Sequence, residues 1–142
     1  MNQITSFTGE YDWLSNFYPC KIKYHGYEFL CLEGAYQLCK LPDEMVNDHI
    51  KEYAILTGAQ AKKKAKLLPI REDFHIKKYE IMRFLISLKF QDPVLKAKLI
   101  NTGDCELIEG NWWGDTYWGI CNGNGHNYLG KILMELRSNF KE

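Results

Sequence analysis

No apolar run in this chain approaches the roughly 18–20 residues that span a bilayer, so no membrane partner is expected. The opening MNQITSFTGEYDW lacks the basic-then-apolar order of an export signal. Neither sign of charge is in excess, with 18 basic against 18 acidic side chains and a formal net charge of zero. That argues against a broad basic surface of the kind that holds duplex nucleic acid through counterion release, and leaves recognition of a single nucleotide open. Cysteine is present as an odd five (Cys20, Cys31, Cys39, Cys105, Cys121), with no CxxC and no Cys/His ligand spacing. Reduced thiols in a cytoplasm are therefore expected, with neither a disulfide framework nor a structural zinc. Repeats, low-complexity tracts and domain linkers are missing too.

What remains is an ordinary soluble composition, 46% hydrophobic and 25% charged over 142 residues, enough for one domain spanning 1–142 with its own core. KIKYHGYEFLC (21–31) alternates around His25-Gly26 and predicts a hairpin. From Glu33 the pattern turns helical, and Pro42 ends that helix or opens the next, over 43–56. GAQAKKKAKLL predicts a short third helix. IREDFHIKKYEIMRFLISLKF is the longest helical pattern, with Asp73 as cap and Phe74, Ile81, Leu85 and Leu88 on one side. Asp92-Pro93 restarts a helix to about Asn101. CELIEG and TYWGIC predict short strands flanking a tryptophan loop. Asn127 then caps a final helix with Leu129, Ile132, Leu133 and Leu136 on one face. The expected class is α+β, predominantly helical, with one small antiparallel sheet.

Five stretches carry chemistry. WLSNF (13–17) joins aromatics to the Asn16 amide, with Trp13 and Phe17 nearer to core residues than to ligand contacts. In EGAYQLCK, Glu33, Tyr36, Gln37 and Lys40 are three and four apart and share a helix face. TGAQAK (57–62) opens a helix with Thr-Gly, a geometry suited to an anion. TGDCELIEGNWWGD supplies Glu109 and Asp115. WGICNGNGHNYLG leads through glycines to a helix N-terminus, and residues 103–136 hold three of the four tryptophans. Tryptophan beside glycine and asparagine suits the wall of a polar ligand site.

Taken in order, these residues resemble the NADAR family, also called YbiA-like. The resemblance rests on Ser15-Asn16-Phe17, Glu33 with Gln37 and Lys40, Ala61-Lys62, Ile81-Met82 with Leu88-Lys89-Phe90, and Thr102-Gly103-Asp104. It continues through Leu107-Ile108-Glu109, Asp115 with Trp118-Gly119, Asn127-x-Leu129-Gly130 and Leu133-Met134-x-Leu136-Arg137, and so covers nearly the whole chain. Two departures are visible: an extra Trp-rich turn, Gly110-Asn-Trp-Trp-Gly114, and Phe74 where a tryptophan is often found. The resemblance implies a link to NAD and ADP-ribose metabolism and an N-glycosidase activity. Members of the family cleave phosphoribosylamino-pyrimidine intermediates of riboflavin synthesis, or remove ADP-ribose from modified guanine. It implies hydrolysis of a bond between ribose C1 and nitrogen, on a small nucleotide or an ADP-ribosylated nucleic-acid base, with no cofactor, metal or obligate protein partner.

Breaking that bond builds positive charge at C1 and the ring oxygen, which a carboxylate stabilises, and a second carboxylate commonly moves protons. Lysine offers another route, replacing the departing amine as a Schiff base once its pKa is lowered. Glu33 and Lys40 are two helical turns apart, about 10 Å, leaving room for ligand. Lys40 is thus expected as nucleophile, with Glu33 and Asp115 handling protons. Trp113 and Trp118 are expected to stack on the ligand, Gly123 and Gly125 to let backbone approach it, and the helix start at Asn127 to meet a phosphate. Asn16, Phe17, Gln37, Lys62 and Glu109 complete the expected substrate contacts. Two other classes compete: a non-catalytic module that binds ADP-ribose or a nucleotide, and an adaptor whose tryptophans form an interface.

Overall fold

The computed structural model describes residues 2–141. Along the chain, β1 (Gln3–Ile4) and a 3₁₀ segment (Gly9–Leu14) precede a hairpin of β2 (Ile22–Tyr24) and β3 (Tyr27–Phe29). Helices α1 (Leu32–Leu38), α2 (Asp43–Ala54), α3 (Gly58–Ala65), α4 (Phe74–Lys89) and α5 (Pro93–Asn101) follow. The short strands β4 (Glu106–Leu107), β5 (Gly110–Asn111) and β6 (Ile120–Cys121) lead into α6 (Tyr128–Phe140). The chain divides into two compact units, one of Asn16–Lys89 and one that joins 2–15 to 90–141.

In the first unit the hairpin turns where the sequence predicts. His25 and Gly26 both take left-handed backbone, φ 49° and 79°, which suits the two-residue turns that match strand twist. Cross-strand partners run from Ile22 with Phe29 to Tyr24 with Tyr27. α1 is the centre of this unit. Every residue from Leu32 to Leu38 is buried, with Leu32, Ala35 and Leu38 at 0% exposure. Gly34 lets α2 come close, because a Cβ there would sit 3.2 Å from the Tyr53 carbonyl oxygen. Pro42 is the N-cap of α2. A reciprocal capping box, Thr57 with Gln60, starts α3. Asp73 stands before α4 as expected, but its carboxylate pairs with the Arg71 guanidinium while its backbone carbonyl accepts from Ile76 and Lys77. The buried side of α4 is Phe74, Met82, Leu85, Ile86 and Lys89. Ile81 and Leu88, expected there, are only half-buried.

The second unit packs Trp13, Leu14, Phe90, Leu95, Leu99, Leu107, Leu129, Ile132 and Leu133. Trp13 meets Phe90 edge-on at 6.3 Å. Asp92 caps α5 through its carboxylate, which accepts from the amides of Val94 and Leu95, with Pro93 in the first turn. Asp92→Ala is expected to cost about 1 kcal/mol, measured as a lowered denaturation midpoint with an unchanged slope. The remaining strands add two short pairs to the expected small antiparallel sheet. The hairpin is the antiparallel pair, whereas β1 pairs β4 and β5 pairs β6 in parallel, two residues each. Parallel pairing joins residues 3 and 106, which no local pattern announces.

Candidate active site

α1 buries Glu33 and Gln37 and is followed by Lys40, where the chain becomes partly exposed. Glu33 is 6% exposed and Gln37 2%, while Lys40, just past the helix end, is half-buried. The Glu33 amide donates to the Asn16 carbonyl at 2.9 Å, so the SNF loop is fixed to the helix start. Asn16 reaches Met82 of α4 with its side-chain amide, 3.5 Å from the sulfur. Gln37 Nε2 donates to Glu33 Oε2 at 2.5 Å. Phe17 is 42% exposed and lies against Gly58, where an added Cβ would be 2.5 Å from the ring.

Lys40 Nζ sits 5.6 Å from the centre of the Tyr36 ring and 5.7 Å from that of Phe74. Burial pushes its pKa below the ordinary lysine value. The Glu33 carboxylate opposes the shift, and the charges of Lys62 on α3 and Lys78 on α4 add to it. The sign for stability follows by linkage. Between the lowered folded value and the ordinary one the unfolded chain holds the extra proton, so this group's contribution improves as pH rises through that window. The expected result is a stability difference, wild type minus Lys40→Met, that moves in favour of wild type from neutral pH to about pH 10. Denaturant unfolding at several pH values measures it.

In the unit of 2–15 and 90–141, the glycine- and asparagine-rich stretch is held by its own backbone. Asn122 and Gly123, φ 52° and 79°, make the turn between Cys121 and Asn124, whose amides and carbonyls bond reciprocally. Gly125 is required by the chain itself, since a Cβ there would be 2.1 Å from the Gly119 carbonyl oxygen. The start of α6 was expected to meet a phosphate. Its first amides are already taken: Asn127, Tyr128 and Leu129 donate to the carbonyls of Gly119, Tyr117 and Trp118. Nor does the Asn127 side chain cap the helix. It is buried, accepts from the Glu109 amide at 2.9 Å and donates to the Leu107 carbonyl at 2.9 Å. The Asn127 side chain is thus a brace between strand and helix. Asn127→Leu is expected to leave both backbone groups unpaired and to cost about 2–5 kcal/mol, seen as a drop in thermal midpoint.

The acidic residues of this unit also have local partners. Asp115 Oδ1 accepts from the amides of Tyr117 and Trp118 at 3.0 and 2.9 Å, closing the turn after the tryptophans. Glu109 Oε2 accepts from Asn111 Nδ2 at 3.0 Å. Trp113 is 52% exposed and meets the 86% exposed Trp112 edge-on. Trp118, half-buried, stands edge-on to Tyr117 with ring centres 4.7 Å apart.

The expected residues therefore divide by unit. Asn16, Phe17, Glu33, Gln37, Lys40 and Lys62 belong to Asn16–Lys89, and Glu109, Trp113, Asp115, Trp118, Gly125 and Asn127 to the other. Lys78 escaped the sequence reading, although its place one turn after Phe74 puts it on the same side of α4 as that ring. Lys89 escaped too: it is 2% exposed and lies 5.8 Å from the Tyr18 ring centre. A cavity of about 420 Å³ in the same unit, lined by Tyr24, Tyr27, Cys39, Asn47 and Arg71 among others, does not include Glu33, Gln37 or Lys40. Among the described residues no group of three or more His, Cys, Asp or Glu is placed to hold a metal ion, and no helix is long and apolar enough to cross a membrane.

A buried carboxylate on a helix and a lysine with weakened proton affinity just past that helix are the equipment of a nucleophilic, acid–base site. The NADAR domain model matches residues 5–141, and the chain belongs to that family. It is 32% identical to N-glycosidase YbiA of Escherichia coli, over 93% of this chain and 83% of that protein. It is 34% identical to a riboflavin biosynthesis protein of Vibrio vulnificus, over 91% of this chain but only 35% of that protein's length. The NMR structure of E. coli YbiA superposes with a TM-score of 0.82 at 29% identity, covering 98% of this chain and 83% of the other.

Proposed function

We propose that this chain is an N-glycosidase that hydrolyses an N-linked ribosyl bond, with Lys40 as nucleophile and Glu33 as the proton-transfer group. One observation carries the reading: a lysine beside two aromatic rings, its pKa pushed down by burial, just past the end of the helix that carries a buried glutamate whose charge acts on it. The N-glycosidase names among relatives that align over most of their length support the activity.

In this mechanism the neutral Lys40 amine attacks ribose C1. The ring opens first, as O4′ takes a proton from Glu33 and the C1–O4′ bond breaks to leave an iminium at C1; once the C1–Nζ bond has formed, a proton passes from Nζ to the departing nitrogen and the C1–N bond to the base breaks. The resulting Schiff base then takes up water, with Glu33 removing its proton. Release of the C1 carbonyl returns Lys40 to the free amine. Lys62 and Lys78, beside Lys40, suit a phosphorylated ribose. Riboflavin biosynthesis names among the relatives favour a phosphoribosylamino-pyrimidine over an ADP-ribosylated guanine.

Asp115 was expected to share the proton work. Its carboxylate closes a turn, so the proposal leaves it with that task. Asp115→Asn, which keeps the accepting oxygen, is expected to retain turnover within about threefold, whereas a proton-transfer role would cost about 10²–10⁴-fold.

Purified protein incubated with a phosphoribosylamino-pyrimidine, and separately with ADP-ribosylated guanine nucleotide, tests the activity by chromatography of the released base. Release from the first at the higher rate is the expected outcome. Tight binding of either ligand with no release at enzyme excess would instead support the non-catalytic binding module.

A further inference from the structure

The Glu33–Gln37 pair carries an inference that rests on the proposed reaction for its chemical role. Gln37 Nε2 donates to Glu33 Oε2 with both side chains buried. The other end of the same amide, Oε1, is buried with no hydrogen-bond partner among the described residues. A buried acceptor without a donor is costly, and an apolar side chain of similar shape would avoid that cost. Glutamine offers something an apolar residue does not: half a turn about its last side-chain bond exchanges donor for acceptor. A carboxylate only accepts, whereas a protonated carboxyl has an O–H to give. A group that shuttles protons needs both forms held in one place.

We infer that Gln37 is a positioning residue that holds Glu33 in both of its protonation states. While Glu33 is ionised, Nε2 donates to it. When Glu33 carries a proton, the amide turns and Oε1 accepts the carboxyl O–H. No proton passes to the glutamine, and no bond other than the hydrogen bond changes. The charged and titratable groups near the pair act from outside it: Lys40 at the end of α1, Lys62 on α3, Lys78 on α4, and the Cys31 thiol with Lys89 beside it. Tying the carboxyl to the helix turn that carries Lys40 keeps it aimed at the same substrate atom before and after proton transfer.

NMR of the full chain with isotope-labelled glutamine and glutamate side chains tests this without turnover, the signals being assigned with Gln37→Met and Glu33→Gln. The expected result is that the Gln37 amide proton and Cδ signals move with the same midpoint as Glu33 Cδ. Gln37 signals that stay still while Glu33 titrates overturn the inference, as does a Glu33 that never titrates between about pH 3 and 9. In kinetics, Gln37→Met is expected to lower kcat about ten- to a hundredfold with KM within about twofold, and an unchanged kcat contradicts the role. Wild-type protein without N-glycosidase activity would sink the proposed reaction and leave the NMR titration to decide the pairing.

Discussion

Lys40→Ala is expected to lower turnover by at least about a thousandfold, while substrate affinity falls far less. The asymmetry follows from what the side chain does at each stage. The charges of Lys62 and Lys78 act on Lys40, and under the proposed reaction both remain to attract a ligand's negative charge when Lys40 is gone. In the transition state it forms the new bond to C1, and no neighbour replaces that. Steady-state kinetics together with equilibrium binding to the variant separate the two. Equal losses in kcat/KM and in affinity, with kcat kept, would make Lys40 a recognition residue only. The pH profile adds a signature. Because burial holds its pKa below the ordinary lysine value, the rate is expected to rise with pH and reach its plateau before about pH 10.

Glu33→Gln has the second largest expected effect, about 10²–10⁴-fold in kcat. The substitution removes the proton-transfer group and also one of the charges that keeps Lys40 protonated. The residual activity should therefore have its rising limb moved to lower pH, since the opposing influence on Lys40 has gone. A limb that stays where it was would mean that the two side chains do not interact. A limb that moves up would mean that the sign of their coupling is wrong. Because Glu33 is buried and its amide partner Gln37 is intact in this variant, a folded, monodisperse protein is expected, checked by circular dichroism.

Local signals in the sequence were enough for much of the fold. His25-Gly26 announces the hairpin because two left-handed residues make that turn, and Asp92-Pro93 announces α5 because carboxylate and ring act within one helical turn. Long-range pairing was not legible. The β1–β4 ladder is two residues long and parallel, and nothing in Gln3–Ile4 specifies Glu106–Leu107 as its partner. The buried side of α4 differed from the apolar stripe because a lysine occupies it: Lys89 is as buried as Met82, and hydropathy does not anticipate that.

The site divided in the same way. Helical periodicity alone puts Glu33 and Gln37 one turn apart, and the hydrogen bond between them is the visible result, whereas Lys40 falls just past the helix end. The loop residues were harder. Gly125, Asp115 and Asn127 have the chemistry of ligand contacts, but their partners are backbone atoms of residues 107–120. Asparagine and glycine serve a tight backbone arrangement as well as they serve a phosphate, and composition does not distinguish the two. The partners had to be seen.

The most direct test of a lysine nucleophile is chemical trapping during turnover. Wild-type protein is mixed with a phosphoribosylamino-pyrimidine, treated with sodium borohydride, digested and weighed by mass spectrometry. Reduction of a Schiff base leaves a stable secondary amine, so the account predicts a pentose-phosphate adduct on the peptide that contains Lys40, and on no other lysine. Full turnover with every peptide at its unmodified mass, under conditions that trap a known lysine Schiff-base enzyme, would contradict it.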